Sequence, residues 1–220
     1  HRYETALNYR NYCRENGISK PGDPQDFQMI YLVDMEHPGL VVFPTHRLVR
    51  DLPNFDKEAV LEKCSEFFYI DEKEGTDTME EDLKKLYDEG KKAFGFYCGK
   101  GEWFLLTLKN IDFMSQMLPN VSKASQSLDV SVLHTLILEK IFGIDKENMA
   151  KQINLTYTKF FTEAIDGVDK GEFQCSFVLN PTRVTEIRDV AAAGEKMPQK
   201  STYFYPKMIT GMVMNNLGVD

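Results

Sequence analysis

The feature that most constrains this fold is a β-hairpin pattern near the middle of the chain. Two apolar runs, Ala93 to Cys98 and Trp103 to Leu108, flank the short stretch Gly99-Lys100-Gly101-Glu102. Glycine adopts turn conformations that other residues avoid, so a glycine-rich link between apolar runs is typical of a tight hairpin. The pattern predicts two adjacent antiparallel strands, and any fold of this chain has to include a sheet built on them.

A second pair of apolar runs has the same form. Residues 27–33 and 40–43 surround a turn at Glu36-His37-Pro38-Gly39, which predicts another antiparallel pair. Further strands are expected at 68–72, 153–157 and 173–179.

Helical patterns alternate with these strands. Apolar residues at helical spacing predict helices over 3–15, 56–67, 79–90, 128–142 and 181–193. Asp56 is placed to cap the second helix, Thr78 with Glu81 forms a capping box for the third, and Asn180-Pro181 predicts the start of the last. The alternation predicts an α+β (mixed α/β) fold with a central, mostly antiparallel sheet and flanking helices. We expect one domain over residues 1–220, with a candidate subdivision near 110–127.

Charge and cysteine usage exclude several classes of protein. The net charge of −8 and a pI of about 5.1 argue against nucleic acid as a partner. No apolar run approaches the ~20 residues of a membrane-spanning helix. The four cysteines are far apart and form no pattern of metal ligands, so we expect free, mostly buried thiols in a cytoplasmic protein and no metal site.

The chain opens with basic residues at the start of a predicted helix. The first turn of a helix leaves backbone N–H groups unpaired and carries the positive end of the helix dipole. His1 and Arg2 are therefore candidate ligands for an anion, phosphate first, and Glu4 follows them as a candidate catalytic base.

A segment near the end of the chain has similar chemistry. Residues 194–207 contain several basic, hydroxyl and aromatic side chains, and the candidate ligand-binding residues are Lys196, Lys200, Ser201, Thr202, Tyr205 and Lys207. Lysines and hydroxyls could hold a phosphate while a tyrosine stacks on a ring. The segment does not spell a phosphate-binding P-loop. The alternative is a solvated loop whose aromatic residues close the core.

A third candidate is the pair His46 and Arg47, which follows an apolar run. Residues at the end of a strand often project into a cleft, where His46 could transfer a proton and Arg47 could contact an acidic ligand. The alternative is a structural histidine. We interpret His37 and His134 as structural.

Three stretches together resemble the bacterial and archaeal family called domain of unknown function 1015. They are His1-Arg2-Tyr3-Glu4-Thr5-Ala6, the run from Met35 to Arg47, and the run from Gly194 to Lys207. The resemblance implies an Asp-Gly-His-His-Arg motif that ends in His1 and Arg2, so this chain is expected to be the C-terminal part of a longer protein. That motif in turn is similar to the phosphate-binding helix start of ParB and sulfiredoxin-like proteins, a group that includes nucleotide-dependent enzymes and archaeal free serine kinases.

Three functions follow as hypotheses. The first is half of an enzyme for phosphoryl transfer to a small metabolite, with a nucleotide and Mg²⁺ as candidate cofactors and the absent N-terminal region completing the site. The second is a non-catalytic module that senses a small phosphorylated or anionic metabolite. The third is a ParB-like nucleic-acid adaptor, which the acidic composition opposes. The first two require the basic clusters to converge on one anion.

Overall fold

The computed structural model describes residues 2–207, and for Arg2 it describes the backbone only. The candidate residue His1 lies outside this range, as do residues 208–220. The chain divides into two compact units. The small unit contains residues 1–41 and 206–220, and the large unit contains residues 42–205.

The small unit begins with the predicted helix, α1 (Arg2–Glu15), followed by a 3-10 turn at Pro24–Asp26. Arg14 Nη2 binds Asp26 Oδ2 at 2.7 Å and connects the two. Residues 27–34 have no regular secondary structure, so the strand predicted at 27–33 is wrong. An apolar run forms a strand only where a neighbouring strand accepts its hydrogen bonds. Here the side chains stay exposed, as Phe27 at 63% and Leu32 at 82% illustrate.

The large unit alternates strands and helices as predicted. Its strands are β1 (Val41–Phe43), β2 (His46–Val49), β3 (Phe68–Glu74), β4 (Ala93–Tyr97), β5 (Glu102–Leu108), β6 (Leu155–Thr158), β7 (Cys175–Val178) and β8 (Tyr203–Tyr205). Its α-helices are α2 (Lys57–Cys64), α3 (Met79–Asp88), α4 (Asp112–Met117), α5 (Lys123–Gln126), α6 (Asp129–Val132), α7 (Lys146–Lys151), α8 (Phe161–Asp169) and α9 (Val184–Ala192). A π-helical segment, Leu133–Glu139, continues α6.

Within the described residues, six strands form one sheet in the order β3-β5-β4-β7-β2-β6, and every neighbouring pair is antiparallel. The hairpin of β4 and β5 is confirmed, with Tyr97 opposite Trp103. The strand predicted at 40–43 exists as β1, but it pairs with β8 in a separate two-stranded ribbon. The α+β fold with a mostly antiparallel central sheet is confirmed.

Helices cover both faces of this sheet. Side chains alternate along a strand, so Phe94 and Phe96 of β4 pack with α2, α6 and the π-helical segment on one face. Ala93 and Tyr97 pack with α3 and α8 on the other face. Every residue of β4 is buried, which explains why its sequence is apolar throughout.

The starts of three helices test the capping residues that the sequence predicts. Asp56 caps α2 as predicted, because its Oδ1 accepts from the Ala59 amide at 2.8 Å. Thr78 makes no such bond to the first turn of α3, although the helix begins where expected. The last helix starts at Val184 and not at Pro181, because Glu186 Oε2 accepts from the Arg183 amide at 2.9 Å.

The four cysteines are free, and Cys13, Cys64 and Cys175 are buried. In the part of the chain that the structure describes, no helix is both long and apolar enough to span a bilayer.

Candidate functional site

Strand β2 carries Arg47 into the interior of the large unit. Arg47 lies opposite Tyr157 on β6 and Phe177 on β7, on the face of the sheet that the π-helical segment covers. Its side chain is fully buried. An arginine in a strand with four buried residues is unusual, because a buried charge is unfavourable unless its surroundings compensate it.

Neutral groups surround the Arg47 guanidinium. Nη1 donates to the carbonyl of Thr45, Nη2 donates to the carbonyl of Lys200 at 3.0 Å, and the plane lies 5.3 Å from the ring centre of Tyr157. No carboxylate among the described residues forms an ion pair with it. Burial lowers the pKa of Arg47 to about 10, so the group remains a cation at neutral pH.

Several buried polar atoms near Arg47 have no hydrogen-bond partner within residues 2–207. They are Nε of Arg47 itself, the hydroxyl of Tyr157 and Oγ of Ser201, the residue after Lys200. Folded proteins rarely leave such atoms unpaired, because protein groups or ordered water normally satisfy them. This end of the sheet therefore has unused hydrogen-bonding capacity beside an uncompensated positive charge.

His134 connects Arg47 to a cavity. Nη2 of Arg47 lies 3.2 Å from Nε2 of His134, which belongs to the π-helical segment. Burial, with the Arg47 charge as a second cause, lowers the pKa of His134 well below its ordinary value, so this histidine is neutral at pH 7. His134 is also one of the residues that line a cavity.

The cavity has a volume of about 600 Å³ and lies among helices of the large unit. Its walls come from the α4–α5 connection, α5, α6, the π-helical segment, α7 and the segment after α9. The lining residues are Leu118, Asn120, Val121, Ser125, Ser131, His134, Thr135, Glu139, Lys146, Met149, Glu195, Lys196, Pro198 and Gln199. This size falls in the range of ordinary small-molecule sites.

One wall is a short segment, residues 195–201, which we call the strap. At its first residue, the Glu195 carboxylate accepts from the Ser122 amide at 2.6 Å, from Ser122 Oγ at 2.7 Å and from Ser125 Oγ. These bonds, that from Ser125 foremost, lower the pKa of Glu195. Near its other end, Lys200 adopts a left-handed conformation (φ 54°), and its carbonyl accepts from Arg47. The strap is therefore held at both ends.

Charged groups of both signs line the cavity. Lys146 and Lys196 contribute two cations, while Glu139 and Glu195 contribute two acids. Burial raises the pKa of Glu139, an effect that Lys146 partly offsets. Arg47 contacts His134 on the side away from the cavity and adds a third cation. Three basic groups therefore stand against two acidic groups around this cavity.

The structure places the predicted site residues in three groups. Arg47, Lys200 and Ser201 lie together at the end of the sheet, and Lys196 lines the adjoining cavity. Tyr205 packs against Phe43 with ring centres 5.5 Å apart, and Thr202 is half-buried beside that ribbon. Glu4 and Lys207 belong to the small unit, as does Arg2.

His46, the other predicted catalytic residue, is buried on the opposite face from Arg47. Its Nδ1 accepts from the Leu179 amide at 3.2 Å. Burial lowers the pKa of His46 to about 4. The imidazole is therefore neutral at pH 7 and has no contact with solvent that a general base would need.

Sequence reasoning missed most of the cavity wall. The sequence predicts a structural role for His134, because it lies within an apolar helical run, and it assigns no ligand contact to Glu139, Lys146 or Glu195. A stripe at i, i+4 and i+8 (Ser131, Thr135, Glu139) was the available signal, since it marks a polar strip on an otherwise apolar helix. In the structure the π-helical segment carries His134 on the same wall, and such segments occur frequently at functional sites.

Comparison with solved structures finds similarity at low sequence identity. A conserved hypothetical protein from Pyrococcus furiosus is 19% identical, with a TM-score of 0.45, over 79% of this chain and 60% of that one. Free serine kinase in complex with AMP is 15% identical, with a TM-score of 0.45, over 79% and 57%. A variant of that kinase in complex with ADP is 14% identical, with the same TM-score and coverage. This chain thus spans less than two thirds of the length of these structures.

Comparison with sequences identifies the family. No curated protein matches the chain. The profile of the family described as "Protein of unknown function (DUF1015)" matches residues 1–131, which is more than half of the 220 residues. The match includes the first two of the three stretches that suggested the resemblance, and this chain belongs to the DUF1015 family.

Proposed function

We propose that the large unit binds a small anionic metabolite, a phosphate ester or nucleotide, in the cavity between the strap and the π-helical segment. The observation that carries this proposal is the buried Arg47 cation, which has no carboxylate partner among the described residues. It is hydrogen-bonded to His134 in the cavity wall. An anion in the cavity would supply the compensating charge that the fold leaves out.

The lysines support an anionic ligand. Lys196 was predicted as a ligand-binding residue, and Lys146 faces the same cavity from α7. Glu195 already accepts three hydrogen bonds from Ser122 and Ser125, so its charge is compensated inside the wall. The cavity therefore favours a negative group near the lysines.

The remaining lining suits the uncharged part of such a ligand. Leu118, Val121, Met149 and Pro198 are apolar, while Ser131 and Thr135 offer hydroxyls. A site that combines apolar walls with a few polar groups is typical of sites for small organic molecules. A nucleotide has this division between an apolar ring and a charged phosphate, which makes nucleotides the first class to test.

The large unit supports binding better than phosphoryl transfer. Of the two predicted catalytic residues, His46 is buried with a pKa of about 4, and Glu4 belongs to the small unit. The enzyme hypothesis therefore rests on the whole protein, with His1 and Arg2 in a ParB-like motif as a second anion contact.

The test is calorimetric titration of the full chain with AMP, ADP, ATP and inorganic phosphate, for the wild type and three lysine variants. Lys146→Ala and Lys196→Ala remove cations from the cavity, and we expect each to weaken binding by about 10- to 100-fold, the usual effect of losing a charge-assisted contact. Lys151→Ala is the matched control, because Lys151 lies on α7 with Lys146 but pairs with Glu147 at 2.6 Å outside the cavity. We expect the affinity of this control to stay within about 3-fold of the wild type.

Two results would contradict the proposal. One is the absence of binding to all four probes, measured together with a thermal melt that shows a folded protein. The other is an equal loss of affinity in all three variants, which would indicate a general surface charge effect. Formation of ADP from ATP with a small acceptor would instead favour the enzyme hypothesis.

A further inference from the structure

We propose that His134 is a ligand contact, held by Arg47 in the one tautomer that donates a hydrogen bond from Nδ1 into the cavity. This inference rests on the proposed function and names the group that recognises the ligand. His134 lies in an apolar helical run, so no sequence motif marks it.

Arg47 determines which ring nitrogen carries the proton. A guanidinium has only donors, so the 3.2 Å contact from Arg47 Nη2 requires Nε2 of His134 to be the acceptor. Protonation of that nitrogen would place two cations against each other in the interior, which burial and the Arg47 charge both oppose. The neutral ring therefore carries its proton on Nδ1.

The position of the ring directs this proton toward the cavity. Nε2 lies against Arg47 in the core, and His134 is one of the residues that line the cavity. Nδ1 makes no hydrogen bond to any described residue. It remains accessible, whereas Nε of Arg47 is sealed from solvent and has no partner. A donor that faces a cavity and has no protein partner is a recognition group for an acceptor atom.

The fixed tautomer determines the chemical class of the atom that binds there. Phosphate, carboxylate and carbonyl oxygens accept from Nδ1–H, whereas an ammonium group or a metal cation does not. Arg47 polarises the imidazole through Nε2 and strengthens the donor without exposing its own charge. The buried Arg47 cation thus strengthens the hydrogen bond that His134 donates to the ligand.

The test exploits the difference between asparagine and glutamine as substitutes for histidine. The glutamine amide reaches the place of Nε2, so His134→Gln keeps an acceptor for Arg47 but has no group at the place of Nδ1. The asparagine amide lies near the place of Nδ1, so His134→Asn keeps the donor and loses the acceptor. Both variants are titrated with ADP and with inorganic phosphate, and their thermal midpoints are measured.

We expect His134→Gln to melt near the wild type and to bind about 10- to 100-fold more weakly, because a hydrogen bond to a charged oxygen is lost. His134→Asn is expected to melt at a lower temperature, because Arg47 loses a partner, and to bind more tightly than His134→Gln, because it keeps the donor. Wild-type affinity in His134→Gln, or a loss confined to His134→Asn, overturns the inference.

A second measurement does not depend on ligand binding. Nitrogen-15 NMR of the ring in the ligand-free full chain should show the proton on Nδ1 from pH 6 to pH 8, and a proton on Nε2 overturns the inference. If the wild type binds neither probe, the proposed function is wrong. The NMR result then still shows whether Arg47 fixes the tautomer of His134.

Discussion

The replacement of Arg47 by methionine tests the central feature of the site. Methionine keeps an unbranched side chain of similar reach but removes the charge and all five donors. Three acceptors lose a bond, namely the carbonyls of Thr45 and Lys200 and Nε2 of His134. With about 1–3 kcal/mol for each buried acceptor left unpaired, the loss is about 3–9 kcal/mol, and we take the middle of that range, about 6 kcal/mol.

Removal of the charge offsets part of that loss. A pKa lowered to about 10 from an ordinary value above 12 corresponds to about 3 kcal/mol that burial imposes on the charged form. Arg47→Met should therefore reduce the free energy of unfolding by about 2–4 kcal/mol. For a chain of this length, that is a fall of about 5–15 °C in the thermal midpoint.

Chemical denaturation of the full chain measures this change, with Arg50→Met as the matched control. Arg50 follows β2, is about half exposed and lies 3.8 Å from Asp51, so its loss should change stability by less than about 0.5 kcal/mol. Hydrogen exchange adds a local readout, because the strap amides should exchange faster only in Arg47→Met. Equal stability of the Arg47 variant and the wild type would refute the reasoning, since the carbonyls would then have been satisfied without the guanidinium.

Two further predictions concern the fold. Because burial lowers the pKa of His46 to about 4 from an ordinary value near 6.5, the unfolded chain binds a proton in this interval that the folded chain does not. The free energy of unfolding should therefore fall by up to about 3 kcal/mol as the pH drops from 6.5 to 4. Chemical denaturation of His46→Gln should show a weaker dependence of this free energy on pH than the wild type does. Asp56→Ala should lower stability by about 1 kcal/mol, whereas Thr78→Ala, whose hydroxyl caps no amide, should change it by less than about 0.5 kcal/mol in the same assay.

The sequence predicted the elements whose signals are local. The glycines at 99 and 101 adopt positive φ and join β4 to β5 as expected, because a residue without a Cβ adopts this conformation without strain. Asp56 caps α2 because its side chain needs only its own helix. Such signals depend on a few consecutive residues, so they can be read without knowledge of the rest of the fold.

The strand predicted at 27–33 failed for the opposite reason. Its apolar pattern is strand-like, but a strand exists only with a hydrogen-bonded neighbour, and none pairs with it in the described structure. The run at 40–43 did find a partner, but that partner is β8, about 160 residues away in sequence and not the nearest apolar run. Pairing over such distances follows from the arrangement of the whole sheet, which local patterns do not contain.

The candidate site shows the same difference between local signals and long-range arrangement. Residue chemistry alone pointed to Arg47, Lys196, Lys200 and Ser201 as polar groups beside apolar elements, and to an anion as their ligand. The burial of Arg47, its missing counter-charge and its contact with His134, 87 residues later, became visible only in the folded chain. Burial and pKa depend on everything that packs around a group, whereas the donors and acceptors of a side chain are properties of the residue itself.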